Sequence, residues 1–295
     1  MTSAQHQSIS IVICTYNRCQ DLNKTLSSVC ELEYDSFEVI VVDNNSTDDT
    51  KEIVAKYPVK YIVESRQGVA YARNTGLEAS TGHYIGFIDD DEIVDKNWIR
   101  AMLKGFALGG SVGAVTGPVI PQYTSQTPVW MTSAFHGSEG GPNYRLLSTK
   151  EAIGTGNSMF RAEFVEDIRF KTTLGRVKNS LISGEDTDFV QQLYDKGYVG
   201  AYSPEAIVHH MIPPERTMLQ WFVQRYFAEG ITEYLRKGHR VFWRRLHKPI
   251  IDSVALLGAI VLLNPKGIIA RWLRFCQTFG ILYGPIYEYT NKRKL

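Results

Sequence analysis

The chain has 295 residues, 44% hydrophobic and 21% charged, with a formal net charge of +1. That length holds one large domain, or one domain with an appendage, and a charge so near zero excludes a global field for nucleic acid. Cys14, Cys19, Cys30 and Cys276 fit neither zinc-ligand spacing nor a compact disulfide framework, and read as reduced thiols of a cytoplasmic protein.

Met1 to Ser8 is polar and shows no apolar leader. Ile9 to Cys14 is the first strand, and Leu22, Leu26 and Val29 then recur at helical spacing. Glu38 to Val42 is the second strand, followed by Ile53, Val54 and Tyr57 on one helical face. Val59 to Val63 is the third strand, and the Ala-rich Val69 to Ala79 favours helix. Tyr84 to Ile88 is a fourth, fully apolar strand. Trp98, Ile99, Met102, Leu103 and Phe106 mark an amphipathic helix, and Val112 to Thr116 is a further strand. The alternation predicts an α/β fold with a mainly parallel sheet covered by helices on both faces.

Beyond Val119 the pattern loosens. Gly137 to Pro142 is a Gly/Pro-rich loop, and regular structure returns at Gly154 to Phe160. A helix is expected from about Asp186, with Phe189, Val190, Leu193 and Tyr194 inward, and another over Thr217 to Lys237. Two apolar stretches follow, Ile250 to Leu263 and Ile268 to Tyr289. Both are interrupted by polar or charged residues and fall short of the ~18 uninterrupted apolar residues of a membrane span.

The fourth strand runs into Asp89-Asp90-Asp91. Three carboxylates at a strand end repel one another, and folding alone does not ask for them. A divalent cation does, because hard cations prefer oxygen ligands and a substrate diphosphate can complete the shell. Other polar clusters follow the first three strands: Thr15-Tyr16-Asn17-Arg18, Asp43-Asn44-Asn45-Ser46-Thr47-Asp48, and Arg66-Gln67-Gly68. Ligands of open α/β sheets sit outside the carboxyl ends of the strands, so four clusters on one rim predict a site.

These motifs, with Ala72-Arg73-Asn74-Thr75-Gly76, Gly184-Glu185-Asp186 and His209-His210, occur in the order found in family-2 inverting glycosyltransferases, which the chain resembles over about residues 8 to 215. The resemblance implies a GT-A fold. Residues 1–215 would form the catalytic domain, with a nucleotide-sugar-binding half over about 8–118 and an acceptor-binding half over 119–215. Residues 216–295 would form a helical C-terminal extension. It also implies a metal-dependent, inverting enzyme that moves a sugar from a nucleotide-diphosphate-sugar donor to a glycan or lipid-linked acceptor hydroxyl, in cell-surface polysaccharide synthesis.

By the same resemblance, Asp91 would ligate Mn²⁺ or Mg²⁺ through the diphosphate, and Asp89 would approach the ribose or sugar. Asp90, the variable middle position, would join Asp89 in the nucleotide-sugar set, from a place expected in solvent. Thr15, Tyr16, Arg18, Asp43, Asn44, Arg66 and Asn74 complete the nucleotide-sugar set. Relatives often carry a second acidic residue where Asn44 stands, which leaves uridine, guanosine and deoxythymidine open as the base. Inversion by direct displacement needs a base for the acceptor hydroxyl, and that role falls on Asp186, with Glu185 on acceptor hydroxyls. Adjacent strand residues face opposite sides, so at most one of His209 and His210 faces the metal, and the family pattern selects His210.

Two other functions share parts of this pattern. A nucleotidyltransferase would carry a glycine-rich phosphate loop after the first strand, where this chain has Thr15-Tyr16-Asn17-Arg18. A non-catalytic nucleotide-sugar-binding protein would have no need of Asp91 and Asp186. The C-terminal region carries Arg236, Lys237, Arg240, Arg244, Arg245, Lys248, Arg271 and Arg274 beside apolar helices. That pattern suits peripheral attachment to an anionic membrane surface on the inner face of the cell membrane, with a core or subunit interface as the other use of the same faces.

Overall fold

The apolar runs of the first third of the chain become the centre of a sheet. The computed structural model describes residues 7–131, 136–149, 151–178, 180–261 and 265–292. In chain order the first elements are β1 (Ile9–Thr15), α1 (Cys19–Cys30), β2 (Phe37–Asp43), α2 (Thr50–Val54), β3 (Lys60–Val63), α3 (Val69–Ala79) and β4 (Tyr84–Asp89). There follow β5 (Glu92–Val94), α4 (Trp98–Phe106), β6 (Val112–Thr116), β7 (Val119–Tyr123), β8 (Arg145–Leu146), β9 (Asn157–Arg161) and α5 (Ala162–Val165). The last are α6 (Glu185–Asp195), β10 (Val199–Tyr202), β11 (Val208–Ile212), α7 (Leu219–Lys237), α8 (His239–Arg245), α9 (Lys248–Val261) and α10 (Pro265–Lys292).

The main sheet has eight strands in the order β3-β2-β1-β4-β9-β6-β10-β8. β1, β2, β3 and β4 pair in parallel, as do β6 and β10. β9 runs antiparallel between β4 and β6. Alternate residues of β1 serve opposite faces: Ile9, Ile11 and Ile13 pack with Leu22, Leu26 and Trp98, whereas Val12 packs with Ala72, Leu77 and Phe87. Helices therefore cover both faces, as the sequence alternation requires. A second, three-stranded sheet has the order β5-β11-β7.

The described residues of 1–122, 133–172 and 185–211 form one compact unit, and those of 123–132, 173–184 and 212–295 form another. In the second unit α7 and α10 touch backbone to backbone. A Cβ added at Gly280 would lie 2.0 Å from the Phe227 carbonyl oxygen, so only glycine permits this approach. Segment 173–184 joins these helices through Arg225, which donates to the Leu181 carbonyl at 3.0 Å. α7 starts two residues later than Thr217, because a 3-10 turn over Pro214–Thr217 precedes it and Met218 is extended. No helix among the described residues is long and apolar enough to cross a membrane.

Candidate active site

The carboxyl ends of β1, β2, β3 and β4 lie side by side, which brings the polar clusters of the sequence onto one rim. The loops after β1 and β2 are stapled together. Asn17, at φ 52, accepts from the Thr47 N–H at 2.7 Å, and its own N–H donates to Ser46 Oγ at 2.9 Å. Asp43 is buried, accepting from Ser46 N–H at 2.8 Å and from the Tyr61 hydroxyl at 2.6 Å. Asn44 spends its amide on the loop after β3. It donates to the carbonyls of Glu64 and Arg66, and accepts from Gly68 N–H at 2.7 Å. Tyr16 is half-buried beside this rim.

Arg66 grips buried Glu64 with two guanidinium bonds of 2.9 and 2.7 Å. With Thr75 also donating at 2.7 Å, the Glu64 carboxyl is pulled down to about 2. Asn74 makes a reciprocal pair with the Phe170 backbone, at 2.8 Å in each direction. Its amide therefore positions the segment after α5.

The aspartate triplet is held by cations. Asp90 is buried, contrary to the solvated position expected for it, because Thr15 Oγ1 donates to it at 2.8 Å and Arg18 at 2.7 Å. Burial, opposed by Arg18 and reinforced by Asp91, pushes its carboxyl up to about 6. The other arm of Arg18 reaches Asp91 at 2.8 Å. His210 on β11 brings Nε2 to 3.3 Å from the same Asp91 oxygen, while His209, on the opposite side of the strand, meets Gln122 at 2.9 Å. Asp89 is about half exposed, with Arg73 at 3.3 Å.

Three further residues belong to this site. Arg73 is buried on α3 and pairs with Glu185 as well as Asp89. Its signal was present in the sequence: it falls on the buried face marked by Ala70 and Leu77, where a bare cation has no business unless paired. Glu92 is buried one residue beyond the triplet and accepts from Asp89 N–H at 3.1 Å. Burial first, and Asp89 and Asp91 next, raise its carboxyl well above the usual range. Asn157, at the start of β9, accepts from Trp98 Nε1 at 2.8 Å and donates to the carbonyls of Pro118 and Ala206 at 3.0 and 2.8 Å. The preceding Gly156 packs so tightly that a Cβ there would lie 2.8 Å from Asp89 Oδ2 and 2.9 Å from Glu92 Oε1.

Glu185 and Asp186 open α6. Glu185 is buried against Arg73, and burial raises its carboxyl in spite of that partner. Its Oε2 has no hydrogen-bond partner among the described residues. Asp186 Oδ1 accepts from Thr187 N–H at 2.6 Å, which fixes the carboxylate at the helix N-terminus. Asp188 points elsewhere and accepts from Gln192 at 3.0 Å. A cavity of about 530 Å³ is lined by Arg73, Asp89, Glu92, Asn157, Asp186 and His210 among others. The site therefore gathers carboxylates with distinct environments, one buried arginine, Arg73, and one half-buried arginine, Arg18, and an open volume beside Asp89 and Asp186.

The model of the family described as "Glycosyl transferase family 2" matches residues 10–169. The chain belongs to this family. It is thus a glycosyltransferase, and its α/β sheet with flanking helices is the GT-A fold. It is 33% identical over 239 residues to the succinoglycan biosynthesis protein ExoM of Rhizobium meliloti, covering 76% of this chain and 73% of that protein. It is 24% identical over 237 residues to the glucosyl-dolichyl phosphate glucuronosyltransferase of Haloferax volcanii, covering 76% of each. Among solved structures, it resembles the mannosyltransferase PcManGT of Pyrobaculum calidifontis in complex with GDP-Man and Mn²⁺. The TM-score is 0.67 at 18% identity, over 96% of this chain and 88% of that one. S. aureus TarS 1-349 in complex with UDP-GlcNAc gives 0.55 at 16% identity, over 92% and 91%. These structural likenesses bear on the fold.

Proposed function

We propose that this glycosyltransferase is divalent-metal-dependent and inverting, and that it moves a sugar from a nucleotide-diphosphate-sugar to a glycan or lipid-linked acceptor hydroxyl in cell-surface polysaccharide synthesis. The observation that carries the reading is the shared cavity, which has Asp89 and His210 beside Asp186. The similarity to a succinoglycan biosynthesis protein supports the polysaccharide assignment.

The donor set suits a hard or borderline divalent cation. Asp91 offers a carboxylate oxygen and His210 an imidazole nitrogen 3.3 Å away. No cluster of three or more such side chains is arranged to hold an ion among the described residues, so donor phosphate oxygens and water would fill the remaining positions. When bound, Mn²⁺ or Mg²⁺ would offset the negative charge that develops on the leaving diphosphate. Asp91 and His210 would hold it.

The protein's own groups do the rest. Thr15, Tyr16, Arg18, Asp43, Asp89 and Asp90 would bind the nucleotide sugar, and Asn44, Arg66 and Asn74 would shape the loops around it. Asp186 Oδ1 is held by Thr187 N–H, which leaves Oδ2 to take the acceptor's hydroxyl proton. The acceptor oxygen then forms its bond to the anomeric carbon as the bond from that carbon to the diphosphate oxygen breaks, and the configuration inverts. Glu185 would orient acceptor hydroxyls from its buried place beside Arg73. The enzyme would work as a peripheral protein on the cytoplasmic face of the membrane, with residues 216–295 as its membrane-associating part.

The test compares wild type with Asp186→Asn, using Mn²⁺ and labelled nucleotide sugars. Turnover should fall about 10²–10⁴-fold, the usual worth of a general base, with donor affinity nearly unchanged. Unimpaired turnover in Asp186→Asn, or a product that retains the donor's anomeric configuration, would overturn the assignment.

A further inference from the structure

α9 has a buried face and an exposed one. Asp252 accepts from Thr278 of α10 at 2.9 Å, and Ala259 is buried. These two positions fall on the same side of a helix that turns about 100° per residue. On the opposite side stand Ile250, Val254 and Leu257, which are 73%, 65% and 62% exposed. Ile251 and Ile260 widen that stripe on either flank, and Trp243 and Leu246 continue it into α8; all four are exposed. An apolar face of this extent, uncovered by any of the described residues, marks an interaction surface.

The charge beside it says what covers it. A cavity of about 810 Å³ between α7, α8 and the start of α9 is lined by Lys237, Arg240, Arg244, Arg245, His247 and Lys248, with Glu233 the only acidic side chain among its lining residues. Glu233 is paired with Lys237 at 3.0 Å and lies 3.8 Å from Arg245. Arg240, Arg244 and Lys248 have no ion-pair partner among the described residues. A second copy of the chain would bring the same cations to a two-fold interface, where like charges oppose one another. A bilayer with anionic headgroups offers the opposite sign beside an apolar interior.

We infer that α8 and α9 form an in-plane membrane anchor, in which the Ile250–Val254–Leu257 face enters the acyl boundary and the Arg240, Arg244 and Lys248 cluster binds anionic lipid phosphates. The inference rests on the peripheral-membrane part of the proposed function, and it names the element and the lipid class. Trp243, exposed at the head of the same face, would sit at the headgroup level, where amphipathic rings are favoured. Arg240, Arg244, Val254 and Leu257 are exposed, so their replacement leaves the buried faces of these helices unchanged, and the edge-on contact of Trp243 with Phe242 is one that phenylalanine can keep.

The experiment is flotation of the full-length protein with phosphatidylcholine vesicles, with and without phosphatidylglycerol. Circular dichroism and donor hydrolysis serve as controls. Wild type should float with the anionic vesicles, and brominated acyl chains should quench a fluorescence component that Trp243→Phe removes. Val254→Asp with Leu257→Asp should lower vesicle partitioning about 100-fold, because charge on the inserting face opposes burial. Arg240→Glu with Arg244→Glu should reduce the preference for anionic vesicles at least about 10-fold. If wild type floats but the aspartate pair floats equally well, the anchor is elsewhere and this inference fails, while peripheral attachment stands. If wild type hydrolyses donor yet floats with neither vesicle, membrane attachment itself fails and the transferase assignment stands. If the protein is a dimer in solution that the aspartate pair dissociates, the face is a subunit interface and the inference is overturned.

Discussion

Replacing Asn157 by alanine tests whether one buried amide holds the floor of the site. Its three hydrogen bonds tie α4, through Trp98, to the segment after β6 at Pro118 and to the approach to β11 at Ala206. Asn157 is 2% exposed and Trp98 is 0% exposed, so the orphaned groups stay largely out of water. Each lost bond is worth about 1 kcal/mol net, and a buried group left unpaired costs about 1–3 kcal/mol. Three lost bonds at the net value set the expected loss at about 3 kcal/mol. For a unit of this size, that corresponds to a fall in Tm of roughly 6–12 °C. Urea melts followed by tryptophan fluorescence and by circular dichroism would read it. Asn157→Asp should be at least as damaging, because it keeps an acceptor for Trp98 but replaces the one NH2 group that donates to both carbonyls by an oxygen that repels them. A loss below about 0.5 kcal/mol in the alanine variant would show that the amide is not a structural tie and would refute the reasoning.

Asp91→Ala should leave the fold intact, since Arg18 keeps its bond to Asp90 at 2.7 Å, but should remove the rise in Tm that Mn²⁺ with a nucleoside diphosphate gives wild type. Normal metal-dependent turnover in that variant would exclude Asp91 as a ligand. Glu64 sets a pH prediction. Its folded carboxyl lies at about 2, below the ordinary 4.5, so its contribution is present above about pH 4.5 and is lost as pH falls toward 2. The ceiling is about 3 kcal/mol at ~1.4 kcal/mol per pH unit, reduced to about 1–2 because Arg66 stands mostly in water. Glu64→Gln should therefore be less stable than wild type at pH 7, and the gap should narrow in urea melts toward pH 3; a gap that does not change with pH would rule out the ion pair as its source.

The strands of the parallel half, the helices between them and the rim that carries Thr15, Asp43 and Asp89 to Asp91 were legible in the sequence, because hydrophobic periodicity and strand-end polarity are local properties. The roles proposed for His210 and Asp186 rest on the order of motifs, since nothing local distinguishes a ligand from a packed histidine, or a base from a helix cap. Tertiary structure decided the rest. β9 enters antiparallel between β4 and β6, and this alone brings Asn157 beneath Trp98 and sets Gly156 against Asp89 and Glu92. Arg73 and Glu185 are 112 residues apart in the chain, so their pairing follows from how α3 and α6 pack. Asp90 reads as a solvated charge from its neighbours in sequence and is buried because Thr15 and Arg18 converge on it from another strand end. In the C-terminal helices, composition announces apolar faces beside basic residues. Which face is left open was decided only when α10 covered Asp252 and Ala259, because a helix can hide one side and the sequence does not say which.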